Sequence, residues 1–177
     1  GVAGVMFTGS TEVARLIART LAQRLSPQGR PIPLVAETGG INAMVVDSSA
    51  LPEQVVADVL ASAFDSAGQR CSALRLLCLQ DEVAERVLAM LKDALAEVVM
   101  GPPDRLSCDV GPVIDAAARE AIERHVAAMQ AAGMQVTRTT RDDSGGHGHF
   151  VPPTLVELDD ARRLEREVFG PVLHVLR

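Results

Sequence analysis

The hydrophobic positions along this chain change their period several times. "VAGVMF" (2–7) is a short apolar run of strand length that ends in "TGS". From Thr11 the apolar residues fall at helical spacing (Val13, Leu16, Ile17, Leu21 and Leu25), with Ser10 as N-cap and Glu12 in the first turn. The breakers of "SPQGRP" (26–31) end that helix. "IPLVA" (32–36) and "AMVV" (43–46) then read as strands on either side of "ETGG". Val56, Val59, Leu60, Ala63, Phe64 and Ala67 trace one face of the next helix, which Pro52 opens and Gly68 closes as a C′ glycine. "LRLLCL" (74–79) is a buried strand. Helices follow over 81–98, stopped by "GPP", and over 116–132, closed by Gly133. Residues 138–149 form a polar surface loop, and "TLVEL" and "VLHVL" are late strands. Strands alternating with helices of this length predict a layered α/β fold.

Composition narrows the picture. The 177 residues suffice for one ordinary domain or parts of two, and 47% are hydrophobic. Only 2% are aromatic, so the core is built from Leu, Val and Ala, and the four Phe (Phe7, Phe64, Phe150 and Phe169) stand out. A net charge of −6 leaves no basic stripe to neutralise phosphates, which argues against nucleic acid as a partner. No apolar run reaches the length of a membrane span, and no signal segment opens the chain. The three cysteines (Cys71, Cys78 and Cys108) form no CxxC. An odd count fits a reducing compartment, so a cytoplasmic location is expected. His147 and His149 in "GGHGH" lack cysteine partners, so no metal is expected there. The chain opens without methionine and closes inside an apolar run, which reads as a fragment.

Four stretches carry candidate chemistry, each with an ordinary alternative. In "FTGST" (7–11) a strand turns tightly into a helix start, where Gly9 allows close approach and helix amides favour a phosphate; plain helix caps look the same. "ETGG" places Glu37 at the C-terminal end of a strand, either as a general base or as an exposed carboxylate. Cys71 follows a helix rather than leading one, so Arg70 or a bound cofactor's positive ring would have to favour its thiolate; the alternative is a packed cysteine. In "EVFGPV" (167–172) Glu167 can bind a pair of ribose hydroxyls and Phe169 can wall a flat ring; the alternative is a turn with a packed Phe.

Taken together, and in this order, "FTGST", "ETGG", "GQRCS", "VGPVI" (110–114), "VPPTL" (151–155) and "EVFGPV" resemble the landmarks of the NAD(P)-dependent aldehyde dehydrogenases over essentially the whole chain. The stretch "VDSSALPEQVVADVLASAFDSAGQRCSALRLLCLQDEVAERVL", with Ser72 directly after the cysteine, resembles the L-glutamate γ-semialdehyde (1-pyrroline-5-carboxylate) dehydrogenase branch, in the form fused to a proline-oxidising flavin domain. The resemblance implies the aldehyde dehydrogenase fold: the C-terminal part of a Rossmann-like NAD-binding domain over 1–38, and a three-layer αβα catalytic domain over 39–177, truncated at its C-terminal end. It implies Cys71 as nucleophile and Glu37 as the activator of water. It places Phe7, Thr8, Gly9, Ser10, Thr38, Gly39, Glu167 and Phe169 at the cofactor, and Ser72 and Phe64 at the substrate, with core packing equally open for Phe64. NAD is the implied cofactor, with FAD confined to a proline dehydrogenase domain outside this chain. The implied partners are a small aldehyde and, in the parent protein, further copies of itself. Three positions depart from the usual pattern: Ala14 for a glycine, Thr38 for Leu, and Ile41 for Lys or Gln. Two rival readings are a non-catalytic, self-associating piece and a cysteine acyl hydrolase. The hydrolase lacks a supporting histidine motif, since His125 falls on a helix and His174 in a strand-like run.

Overall fold

Each breaker cluster in the sequence becomes a boundary in the structure, a computed structural model that describes residues 2–143, 145 and 148–177. The chain divides into two compact units, residues 1–40 and 41–177.

In the first unit β1 (Val5–Thr8) leads into α1 (Thr11–Ala22) and β2 (Leu34–Glu37). The two strands pair in parallel, from Val5 opposite Leu34 to Thr8 opposite Glu37. Ser10 caps α1, its side chain accepting from the Val13 amide at 3.2 Å. The helix stops at Ala22, three residues short of the expected Leu25. Leu25 instead forms an antiparallel bridge with Pro31, around a turn in which Gly29 has φ +70°.

The second unit contains β3 (Asn42–Val46), α2 (Pro52–Phe64), β4 (Leu74–Leu79), α3 (Asp81–Glu97), α4 (Ala116–Ala131), β5 (Gln135–Arg138), β6 (Thr154–Leu158) and β7 (Val172–Leu176). Its sheet has the order β3-β4-β7-β6-β5, parallel throughout except for β5 on β6. The sequence pattern did not anticipate β5. It is four residues long, and Gly133 at φ +86° turns the chain out of α4 into an antiparallel edge.

Alternation of side chains along β6 and β7 sorts the helices onto opposite faces. On one face Lys92 of α3 bonds Glu157 at 2.6 Å, and α2 packs against α3. On the other, His125 of α4 meets His174, and Arg138 joins Glu123 of α4 to Thr154. The result is a three-layer αβα unit.

Its core is Leu- and Val-rich: Val59, Leu77, Leu91, Leu95, Leu155 and Leu173 are fully buried. Burying one such side chain contributes roughly 1.5–3 kcal/mol. Leu77→Ala, leaving a cavity at the centre of β4, would cost about 2–5 kcal/mol.

The largest departure from the sequence pattern lies at the end of α2. The helical period runs on to Ala67, but the helix stops at Phe64. Ser66 (φ 58°), Ala67 (φ 54°) and Gly68 (φ 65°) then form a left-handed turn. Ala67 and Phe64 keep their apolar faces in the core, so the pattern continues while the helix does not.

Candidate active site

Two non-glycine residues in left-handed geometry cost roughly 1–2 kcal/mol each, so something must hold this turn. Gly68 shows what does. A Cβ built on Gly68 would lie 2.6 Å from the carbonyl carbon of Gly170 and 2.9 Å from the carbonyl oxygen of Ala63. Gly170 is itself crowded, since a Cβ there would come 3.0 Å from Ile122 Cγ1. The turn before the cysteine and the "FGP" segment therefore interlock through two residues without side chains.

After the left-handed turn the chain makes a second one. The Ala73 amide donates to the Arg70 carbonyl at 3.1 Å, which puts Cys71 and Ser72 at the tip, both exposed. Asn42, the first residue of β3, donates from Nδ2 to the carbonyls of Cys71 (2.7 Å) and Ala73 (2.9 Å). Gln69 donates to the Pro112 carbonyl at 3.2 Å and accepts from the Ile114 amide at 2.8 Å, which ties "VGPVI" to the turn. Arg70 donates from Nη2 to the carbonyls of Ala61 (2.9 Å) and Ser62 (3.3 Å). Its charge thus caps the C-terminus of α2. Of the two sources open for favouring the Cys71 thiolate, Arg70 has its Nη2 engaged at the helix end. Cys78 in β4 and Cys108 are half-buried, so Cys71 is the exposed one of the three.

Beside this turn lies Arg75, fully buried in β4. It bonds Glu167 Oε1 from Nε (3.2 Å) and Nη2 (3.0 Å), the Gly170 carbonyl from Nη1 (3.0 Å) and the Arg70 carbonyl from Nη2 (3.2 Å). Burial lowers the guanidinium's pKa, while the hydrogen bond and charge of Glu167 work the other way. Its Cζ stands 5.4 Å from the ring centroid of Phe169, a residue that is 47% exposed. Sequence reasoning passed over both Arg75 and Asn42: Arg75 reads as one more residue of a strand, and Asn42 falls between "ETGG" and the expected strand 43–46. The available signal was a lone cation inside an apolar run, which demands a buried partner.

In the first unit Phe7 is half-buried and Thr8, Gly9 and Ser10 are exposed. The Gly9 amide donates to the Glu37 carbonyl at 3.1 Å and so extends the β1–β2 ladder. A Cβ on Gly9 would lie 2.6 Å from Cζ of Phe7, so the glycine there makes room for that ring. By helix geometry the amides of Thr11 and Glu12 have no intrahelical acceptor, and they form the positive end of α1. Glu37 is the exposed last residue of β2, with Thr38 half-buried and Gly39 exposed after it. Of the two roles open for Phe64, the structure supports packing: the side chain is 2% exposed within the core.

Half-buried His125 and fully buried His174 form a pair in which Nε2 of His125 is 2.8 Å from Nε2 of His174. Nδ1 of His174 bonds the Arg75 carbonyl at 3.1 Å. A carbonyl only accepts, so Nδ1 of His174 carries the proton and its Nε2 accepts from His125. Burial pushes His174 down to about 4 and lowers His125, Arg166 adding to the second effect. With both ring nitrogens of His174 engaged, this pair is not arranged as a base for Cys71. His147 lies outside the described residues. Among the described residues, no group of three His, Cys, Asp or Glu side chains could hold a metal ion, and no helix is long and apolar enough to cross a membrane.

An exposed thiol on a braced turn, an anchored carboxylate and an exposed ring beside it, in a parallel αβα unit, define a recognisable class. The aldehyde dehydrogenase family model matches residues 1–177, and the chain belongs to that family. It is 66% identical to the bifunctional protein PutA of Klebsiella aerogenes, over 99% of this chain and 14% of that protein. It is 35% identical to 1-pyrroline-5-carboxylate dehydrogenase of Bacillus mycoides, over 96% of this chain and 33% of the relative. A crystal structure of bifunctional proline utilization A superposes with a TM-score of 0.89 at 50% identity, over 99% of this chain and 17% of the other. The fold is accordingly that of the aldehyde dehydrogenases, a family that uses NAD(P).

Proposed function

We propose that this chain is the nucleophile-bearing part of a longer polypeptide that oxidises L-glutamate γ-semialdehyde to L-glutamate with NAD. The observation that carries the reading is the exposed Cys71 at the tip of a turn held by Asn42, Gln69 and the Gly68–Gly170 interlock. Similarity to PutA and to 1-pyrroline-5-carboxylate dehydrogenase supports the substrate. The chain spans about 14% of the PutA proteins it matches, which supports a larger working unit.

The residues present suit the cofactor. Both bonds from Arg75 to Glu167 land on Oε1, so Oε2 remains to accept from a ribose hydroxyl. Phe169 offers an exposed flat face, and the N-terminus of α1, with Phe7, Thr8, Gly9 and Ser10 before it, offers amides to a pyrophosphate. Thr38 and Gly39 are assigned to the cofactor by the resemblance to the aldehyde dehydrogenases alone. When bound, NAD supplies the hydride acceptor.

The Cys71 thiolate attacks the aldehyde carbon to give a thiohemiacetal. The Cys71 backbone N–H faces the developing oxyanion, and Ser72 beside it meets the substrate. Loss of the hydride leaves a thioester on Cys71. Glu37 takes a proton from water, which attacks the thioester and releases glutamate and the thiolate.

The test is NADH absorbance with the semialdehyde on the longer polypeptide, with and without Cys71→Ala. Semialdehyde oxidation by the variant above background would end the assignment of Cys71. NAD-independent release of acid would favour a hydrolase instead. On this reading residues 1–177 alone turn over no aldehyde.

A further inference from the structure

Resting on that reading, we propose that Arg75 is the positioning residue that couples the peptide presenting the Cys71 N–H to the Glu167 carboxylate. A fully buried guanidinium is an expensive way to fill space, and an apolar side chain would pack the same volume without losing hydration. What distinguishes Arg75 is where its donors go. All four of its hydrogen bonds end on two segments: the Arg70 carbonyl just before the nucleophile, and Glu167 and the Gly170 carbonyl in "EVFGPV".

The Arg70 carbonyl belongs to the same planar peptide unit as the Cys71 N–H, and in a trans peptide the two point in opposite directions. Fixing that carbonyl from inside the protein, through Nη2 of Arg75 and the Ala73 amide, therefore aims the Cys71 N–H outward. Nη2 also bonds Glu167 Oε1, so one nitrogen links the proposed oxyanion donor to the proposed ribose acceptor. Glu167 and Gly170 stand in turn on either side of Phe169, against which the guanidinium rests. Behind Arg75, its own carbonyl is held by His174, so the coupling element is anchored to the central strand β7. A lysine would keep the charge but not the fork that reaches three acceptors at once.

The proposal is tested with Arg75→Lys, Glu167→Gln and the double variant in the longer polypeptide. Active sites are counted by thiol titration, and hydride transfer is followed by rapid mixing at saturating NAD. Misaiming one oxyanion donor costs ~10²–10³-fold, so hydride transfer in Arg75→Lys falls by at least about tenfold, together with a raised KM for NAD. Glu167→Gln needs no change at Arg75, yet it frees one end of the guanidinium and also slows hydride transfer at saturating NAD. Because the residues act as one unit, the double variant is no slower than the slower single variant. A Glu167→Gln protein that shows only a raised KM, with hydride transfer within about twofold of the unmutated protein, would overturn the coupling. So would a folded Arg75→Lys protein unchanged in both quantities. An unmutated protein that reduces no NAD would overturn the functional reading and the inference with it, an outcome distinct from either of these.

Discussion

The side-chain amide of Asn42 holds the carbonyl of Cys71 at 2.7 Å, so the first residue of β3 braces the tip that presents the thiol. In the longer polypeptide Asn42→Ala should leave two carbonyls without their donor, at about 1–3 kcal/mol for the pair. The expected result is a fall of roughly tenfold in aldehyde oxidation with a melting temperature lowered by a few degrees. Asn42→Asp should do worse, because its carboxylate would face the two carbonyl oxygens. Full activity in both variants would show that the turn holds itself.

Gly68→Ala puts a methyl into the Gly170 carbonyl at a position that also needs φ +65°. The expected loss exceeds roughly 3 kcal/mol, and any folded protein should be inactive because the turn must shift to admit the methyl. Calorimetry with an activity assay on the same sample checks this. Ser66→Gly and Ala67→Gly are the converse cases. Both positions are left-handed, so Ser66→Gly should stabilise the turn or leave it unaltered, while in Ala67→Gly the relief is offset by the loss of a buried methyl.

The histidine pair makes stability depend on pH. His174 titrates near 6.5 when unfolded and at about 4 when folded, so between those values only the unfolded chain takes up the proton. Its contribution is complete above pH 6.5 and is lost as pH falls toward 4, on the order of 3 kcal/mol in all. His125, also lowered, steepens the same slope. Denaturant titrations between pH 4 and 7 should show a flatter dependence in His174→Gln than in the unmutated protein. Parallel curves would mean that His174 takes up its proton alike in the folded and unfolded chain.

Glu37→Gln should preserve a burst of NADH equal to the number of active sites and then turn over slowly, as expected if Glu37 serves the water step. Rapid mixing decides the matter. Loss of the burst would move Glu37 to activation of the thiol.

The layered α/β architecture was legible because its helices carry strong 3.6-residue periods and its parallel strands are continuous apolar runs, as "LRLLCL" and "VLHVL" show. The positions of the motifs at strand ends were legible because turns with Gly and Pro mark where strands stop. The left-handed turn at Ser66 and Ala67 was not. It keeps apolar residues in helical register while its geometry is imposed by Gly170, far along the chain. Arg75 and Asn42 escaped for a related reason: their roles lie in acceptors contributed by other segments, which no local pattern reveals.

The interlock of Gly68 with Gly170 also orders assembly in time. About a hundred residues of chain must be threaded before the two can meet, and closing so long a loop is entropically costly. β7 follows Gly170 directly, and it is not an edge strand but enters between β4 and β6 at the middle of the sheet. A nascent chain released only as far as β6 therefore has a divided sheet and a cysteine loop with no template for its left-handed residues. β7 joins the two parts of this sheet and follows directly on the glycine that sets the nucleophile turn, so a chain made only as far as β6 does not present a finished reactive thiol.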